Sequence, residues 1–306
     1  MINVCTVADS NFLLKFLALR ESIKKHTEDY SIKLLCLDQS MYDILNDKFD
    51  DVDCFNIRDL RAEDSELDRS RDNDPSYEAV NVSSGDIERA KEIQFTWAMA
   101  SYFSWYCIEK LNLEDVLYVD ADIYFFNDPS ILEDFKDFGS IGIIENRVEY
   151  SPVNGKYNVG IVFFKNDKSG RKCSEFWKNC LLNSKNEYAE GYGTCGDQKY
   201  LELFPVLFED VFEYDNFIGH LAPWSVNDHM YLPDKKISWG GKIQNLLFYH
   251  FSNFSYNFEN ETYSPAGRHG ITNAYLQQNP YLKSLYEEYY RCLEELNENS
   301  FWNDSL

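Results

Sequence analysis

Two carboxylates, two residues apart inside an apolar run, constrain this chain more than any other feature. The run is Leu117-Tyr118-Val119-Asp120-Ala121-Asp122-Ile123-Tyr124-Phe125-Phe126, closed by Asn127-Asp128-Pro129. On a strand, period-two alternation aims Asp120 and Asp122 to the same side. Ionised carboxylates held among apolar residues cost on the order of several kcal/mol unless something pairs with them. A divalent cation is the natural partner, because hard oxygen ligands suit Mg²⁺ or Mn²⁺ and a nucleotide diphosphate completes the coordination. The plainer alternative is a strand that ends in a solvated acidic turn at Asn127-Asp128-Pro129. Phe125 and Phe126 keep the chain apolar beyond the pair and weigh against that alternative.

Upstream, apolar strands alternate with helices. Ile2–Val7 reads as a buried strand and Ala8-Asp9-Ser10-Asn11 as the turn after it. Phe12, Phe16, Leu19 and Ile23 then recur at helical spacing up to Lys24-Lys25-His26, cations suited to a helix C-terminus. Ile32–Leu37 and Val52–Ile57 read as further strands on either side of a short helix at Met41–Phe49. The alternation predicts an α/β layer fold with a mostly parallel central sheet flanked by helices. Ligands of such sheets bind at the carboxyl ends of the strands, where Asp9 and Asn11 stand. Arg58–Glu78 is dense in charge and reads as a mobile or solvated excursion.

A helix is expected from Asp86 to about Lys110, then the central strand Val116–Val119, strands at Ser140–Ile144 and Tyr157–Phe164, and a helix at Ser174–Leu182. Gly191–Gly196 reads as a flexible loop leading into a short helix from Asp197, and Leu246–Phe251 as a strand carrying His250. Residues 272–299 predict a C-terminal amphipathic helix packed on the rest. No internal repeat or low-complexity linker divides the chain, and a single domain over residues 1–306 is expected.

Charge bounds the partners. Fifty-two acidic residues against 29 basic ones leave a net −23, which argues against non-specific binding to nucleic acid or anionic lipid. The same charge repels any anionic substrate unless a local cation intervenes, so the acidic pair and the charge balance favour one reading. Hydrophobic residues at 44% supply a substantial core. No run approaches the roughly 20 apolar residues of a membrane span, so no transmembrane segment is expected. Met1-Ile2-Asn3-Val4 enters a strand without a basic leader, and the eight cysteines lie mostly in apolar runs without paired short spacing, as reduced core thiols do. Both features point to a cytoplasmic location.

Five fragments, taken in order, carry a resemblance. They are Val7-Ala8-Asp9-Ser10-Asn11, Leu117-Tyr118-Val119-Asp120-Ala121-Asp122, Tyr157-Asn158-Val159-Gly160, Gly196-Asp197-Gln198 and Phe248-Tyr249-His250-Phe251. Together they resemble the bacterial nucleotide-sugar glycosyltransferases with the GT-A fold, family 8 and its relatives, over Ile2 to Asn253. The resemblance implies a metal-dependent hexosyltransferase that moves a sugar from a nucleotide-diphosphate donor, a UDP-hexose first, to a hydroxyl of a saccharide or lipid-linked saccharide acceptor. Retention of configuration and a place in bacterial surface polysaccharide synthesis are implied with it.

The resemblance also implies roles for residues. Asp120, Asp122 and His250 would hold Mn²⁺ or Mg²⁺ against the diphosphate, and an imidazole beside two carboxylates suits Mn²⁺ better. Thr6, Asp9, Asn11, Ala121, Asn158 and Gly160 would meet the donor. Asp9 would face the nucleobase, where a carboxylate accepts an imide N–H, and Gly160 would let backbone approach closely. Asp197 and Gln198 would lie beside the transferred sugar, Asp197 accepting from its hydroxyls. Gln198, a poor nucleophile, would support an oxocarbenium-like centre electrostatically. Each has a structural alternative: Asp9 and Asp197 as helix or turn caps, Asn158 as a strand-start polar residue, His250 as a satisfied strand-end histidine.

Two family features are missing. His250 is followed by Phe251-Ser252-Asn253-Phe254-Ser255-Tyr256, without the usual lysine, and Thr96-Trp97-Ala98 stands where an arginine is usual. Arg89, Lys91, Lys156 and Arg268 are the candidate substitutes. Three other readings compete. An inverting GT-A enzyme needs a carboxylate base on the acceptor side, which no motif identifies. A haloacid-dehalogenase-type phosphatase also ends an apolar strand in Asp-x-Asp, but Tyr124 stands where Thr or Val is common. A non-catalytic sugar-binding module built on Trp224 and the tyrosines leaves the acidic pair and His250 without a task.

Overall fold

Ile2–Ala8 is buried at every position, as a strand covered on both faces must be, and its Val and Ile content suits an extended chain. The computed structural model describes residues 1–69, 87–148, 155–182, 197–228 and 230–299. In chain order the strands are β1 (Ile2–Ala8), β2 (Tyr30–Cys36), β3 (Val52–Asn56), β4 (Asp115–Val119), β5 (Ile123–Phe125), β6 (Ile141–Glu145) and β7 (Tyr157–Lys165). They continue with β8 (Val211–Glu213), β9 (Gly219–Leu221), β10 (Met230–Leu232), β11 (Lys236–Trp239), β12 (Lys242–His250), β13 (Ser255–Asn257) and β14 (Thr262–Ser264). The helices are α1 (Leu13–Lys24), α2 (Gln39–Leu45), α3 (Ile57–Glu63), α4 (Glu66–Arg69), α5 (Ile87–Glu109), α6 (Lys168–Leu182), α7 (Phe204–Leu207), α8 (Asn273–Gln278) and α9 (Pro280–Glu298).

The chain folds as two compact units. The first comprises Met1–Ser10, Tyr30–Asp120 and Leu132–Tyr214. Its seven-stranded sheet runs β3-β2-β1-β4-β7-β6-β8. Four of the pairings are parallel (β3 with β2, β2 with β1, β1 with β4, β6 with β8), and β7 runs antiparallel to both its neighbours. The result is an α/β fold with a mostly parallel sheet flanked by helices, as the alternation predicts. Helices α5 and α6 pack on the sheet through Met99, Phe103, Cys107, Cys173 and Trp177, all fully buried. Ser101 and Ser104 stay inside this core by donating to the Ala98 and Ala100 carbonyls of their own helix.

The second unit comprises Asn11–Asp29, Ala121–Ile131 and Asp215–Leu306. Its sheet runs β10-β11-β12-β5, with β9 parallel to β12. Leu282, Leu285, Tyr286, Tyr289 and Leu293 recur at i, i+3, i+4 along α9 and are buried against Tyr249, Phe251 and Phe254. Phe251 and Tyr289 stack at 3.9 Å between centroids.

Two elements depart from expectation. The charged stretch from Arg58 is helical as far as Arg69, because Asn56 caps α3 by accepting from the Arg58 N–H, and Leu60 and Leu67 anchor into the core. The remainder to Glu78, like the Gly191–Gly196 loop, lies outside the described residues. The C-terminal segment is two helices, not one. Asn279 breaks them at φ −124°, since a residue before proline avoids the helical region, and Pro280 opens α9. Among the described residues no helix is long and apolar enough to cross a membrane.

Candidate functional site

Asp120 and Asp122 stand between two strands, not on one, because β4 ends at Val119 and β5 begins at Ile123. Strand alternation therefore does not aim them; local hydrogen bonds do. The Asp120 N–H donates to the Gly160 carbonyl at 3.0 Å, and the Tyr118 hydroxyl donates to Asp120 Oδ1 at 2.8 Å. On the other side of Ala121, the Phe251 N–H donates to the Asp122 carbonyl at 2.8 Å. Antiparallel pairing of Ile123 with His250 then carries the imidazole to Asp122.

Within the second unit each oxygen of the Asp122 carboxylate faces a nitrogen, one an imidazole and the other an ammonium. His250 Nε2 lies 3.0 Å from Oδ1 and Lys15 Nζ 3.8 Å from Oδ2. Both carboxylate and imidazole are buried, 8% exposed each. Burial pushes the Asp122 carboxyl up. The His250 charge and hydrogen bond, Lys15 and the residue's own backbone N–H outweigh it and bring the carboxyl down to about 2. The ring of Trp224 meets His250 edge-on at 5.2 Å and His269 at 5.5 Å. Burial, Arg268 and His250 push the His269 imidazole down.

In the first unit a line of amides forms at the β7 edge. Asn158 Oδ1 accepts from the Gly160 N–H at 2.8 Å, and its Nδ2 donates to Gln198 Oε1 at 3.0 Å and to Asn146 Oδ1 at 3.2 Å. Asn146 in turn donates to the carbonyls of Gly155 and Tyr157. Asp197 precedes the 3-10 turn Gln198–Leu203 without capping it through its side chain, so the helix-cap alternative fails for it. Its carboxyl is 6% exposed. Burial, then the Asp120 carboxylate, pushes it well above the usual carboxylate range against the pull of its own and the Gln198 N–H. The same two causes, burial first and then Asp120, raise the Tyr118 phenol.

The remaining expected residues divide. Parallel pairing of Val4 with Leu117 and Cys5 with Tyr118 brings the carboxyl ends of β1 and β4, hence Asp9 and Asp120, to one sheet edge. Asp9 is half-buried there. Thr6 is wholly buried within β1, its hydroxyl without a hydrogen-bond partner among the described residues. Ala121 is buried, and Asn11 is exposed at the start of the second unit. Lys156 is committed elsewhere, to Glu145 at 2.9 Å and Glu213 at 2.8 Å. Arg268 is exposed next to His269. The side chains of Arg89 and Lys91 lie outside the described residues. Sequence reasoning missed Lys15 and Tyr118. Lys15 carries a signal in hindsight, a lone cation between Leu14 and Phe16 in an otherwise apolar stretch.

Asp120 and Asp122 are neighbours through the chain itself, joined by Ala121 alone. A carboxylate oxygen of each and a ring nitrogen of His250 lie within 4.8 Å of one another. Two hard carboxylates and an imidazole are a donor set that fits a divalent cation.

No family model matches the chain. It is similar to the uncharacterized protein YfnF of Bacillus subtilis (strain 168), 28% identical over 303 residues, covering 93% of this chain and 90% of that one. Among solved structures it is similar to the galactosyltransferase LgtC in complex with donor and acceptor sugar analogs. The likeness there is 13% identity over 72% of this chain and 76% of that one, at a TM-score of 0.44. It is also similar to a glycosyltransferase involved in glycosylation of the major capsid of PBCV-1, at 12% identity, 88% and 99% coverage and a TM-score of 0.44.

Proposed function

We propose that the chain is a metal-dependent glycosyltransferase of the GT-A type, with residues 1–306 acting as one transferase domain. It would transfer a hexose from a nucleotide-diphosphate sugar, UDP-linked first, to a hydroxyl of a saccharide or lipid-linked saccharide, with retention. Synthesis of a bacterial surface polysaccharide in the cytoplasm is the corresponding setting. The observation that carries the reading is the Asp122–His250 contact with Asp120 two residues upstream, a donor set assembled from two distant stretches of chain.

In this reading Asp120, Asp122 and His250 hold Mn²⁺, or Mg²⁺. When bound, the ion acts as a Lewis acid that neutralises the departing diphosphate. The chain's own groups do the rest. Tyr118 holds the Asp120 carboxylate by its hydroxyl, and Lys15 holds the far oxygen of Asp122 in a positive field. Asp9, at the edge shared with Asp120, accepts an imide N–H of the base. Asn158 fixes the Gln198 carboxamide through a 3.0 Å hydrogen bond, leaving its amide dipole preorganised toward a developing oxocarbenium centre. Asp197, whose carboxyl burial and the nearby Asp120 carboxylate push up, accepts hydrogen bonds from sugar hydroxyls.

A panel of nucleotide sugars screened by thermal shift with Mn²⁺ tests the donor class, since a bound ligand raises stability by mass action. Release of the nucleoside diphosphate from the stabilising donor, dependent on metal and absent in Asp122→Asn, is the expected result. No stabilisation by any nucleotide sugar, with metal present, removes the reading.

A further inference from the structure

Lys15 is a buried cation whose ammonium makes no hydrogen bond among the described residues. It sits in the first turn of α1 and is 8% exposed. Its Nζ lies 4.4 Å from the centroid of the Phe12 ring and 3.8 Å from Asp122 Oδ2. The second distance exceeds the roughly 2.7–2.9 Å of a charge-assisted hydrogen bond. Other buried lysines are better served. Lys178 meets Glu66 at 3.3 Å and also faces the Trp105 ring, and Lys199 is hydrogen-bonded to Glu202. A lysine side chain largely buried without such a partner leaves three N–H donors that call for anionic oxygen.

The charge count around Asp122 points the same way. Asp120 and Asp122 would neutralise a divalent cation, and the Lys15 ammonium beside Asp122 then adds a further positive charge. No base stands in the stretch Phe251-Ser252-Asn253-Phe254-Ser255-Tyr256 that follows His250. Helix α1 instead delivers one from the opposite side of Asp122, Lys15 on Oδ2 where His250 takes Oδ1.

We propose that Lys15 binds the diphosphate of the nucleotide donor, its ammonium closing on a phosphate oxygen beside the Asp122 carboxylate. The assignment rests on the transferase reading above and deepens it. The cation–π contact with Phe12 holds the ammonium in place before the ligand arrives. As a fixed point charge it adds to the stabilisation of the departing diphosphate, which draws negative charge as the glycosidic bond breaks.

Calorimetric titration of wild type, Lys15→Met and Lys15→Arg with UDP, uridine and inorganic pyrophosphate, each at saturating Mn²⁺, tests it. Lys15→Met is expected to bind UDP and pyrophosphate roughly ten- to hundredfold more weakly, with uridine unaffected and Mn²⁺ alone bound no more weakly. Lys15→Arg is expected to recover most of the loss. Equal UDP affinity in Lys15→Met and wild type overturns the assignment and leaves the transferase reading standing. A loss shared by uridine, or by Mn²⁺ alone, also overturns it, because a lysine that only orients Asp122 behaves that way. A wild type that binds pyrophosphate but not UDP retires the donor reading, while the Lys15 comparison is still read on pyrophosphate. Binding of neither overturns both. Should Lys15→Met fail to fold, protection of the Lys15 amine from acetylation in the wild type decides. UDP and not uridine is expected to protect it, and acetylation undiminished at saturating UDP overturns the proposal.

Discussion

Asp122→Asn separates charge from shape at the candidate metal centre. The amide matches the carboxylate in volume and still accepts from a His250 N–H, so neither a cavity nor a lost contact confuses the result. What goes is the negative charge that faces His250 at 3.0 Å and Lys15 at 3.8 Å. A carboxyl that ionises at about 2 in the fold against an ordinary 3.8 contributes about 2 kcal/mol of stability at neutral pH. Because the folded value is the lower one, that contribution is complete above the ordinary carboxylate range and is lost as pH falls toward 2. The variant should therefore be about 2 kcal/mol less stable than wild type at pH 7 in EDTA, by urea denaturation followed through tryptophan fluorescence. The gap should close in acid. Adding Mn²⁺ at about a hundred times its dissociation constant should stabilise the wild type by a further ~2.7 kcal/mol and the variant hardly at all. Equal stability in EDTA, together with an undiminished gain from Mn²⁺, would refute both the ion pair and the ligand assignment.

Tyr118→Phe removes the hydroxyl that holds Asp120, and Mn²⁺ titration should show roughly tenfold weaker binding with the fold unchanged. Chelation of metal should abolish UDP binding by calorimetry and spare uridine, whose contacts through Asp9 and apolar surface need no cation; equal loss of both would show the metal to organise the fold instead. Asp167→Ala should cost about 1 kcal/mol, since one carboxylate oxygen accepts from the Ser169 and Gly170 N–H groups at the start of α6. Burial pushes the Asp167 carboxyl up, but Ser140 and those N–H groups bring it below the ordinary range. The wild-type advantage should thus shrink as pH falls through the carboxylate range, as denaturation at pH 7 and in acid will show. Gly219→Ala places a Cβ 2.4 Å from the Asn245 carbonyl oxygen between β9 and β12, a backbone clash expected to cost about 1–3 kcal/mol in the same assay.

How far the sequence reaches depends on the range of the interaction. Strands such as β1 and β7 and the apolar stripe of α9 are legible because burial periodicity is a local property. The acidic pair and His250 were legible as chemistry, since residue type sets which ions they suit. Three matters were settled only in three dimensions. Asp120 and Asp122 are aimed by Gly160, Tyr118 and Phe251, partners that no alternation rule contains. The stretch after Arg58 is held by Leu60 and Leu67, two apolar anchors whose reward depends on a core formed by α5 and α6. Lys15 is the clearest case: 107 positions separate it from Asp122, and in sequence it is one cation in a helix. Its burial, its ring neighbour and its place opposite His250 arise from the packing of α1 beside β5. The sequence by itself determined which side chains carry charge and which segments bury their faces. Tertiary structure decided which charges meet, because electrostatic interactions act through space at a few ångströms and the chain brings such pairs together only by folding.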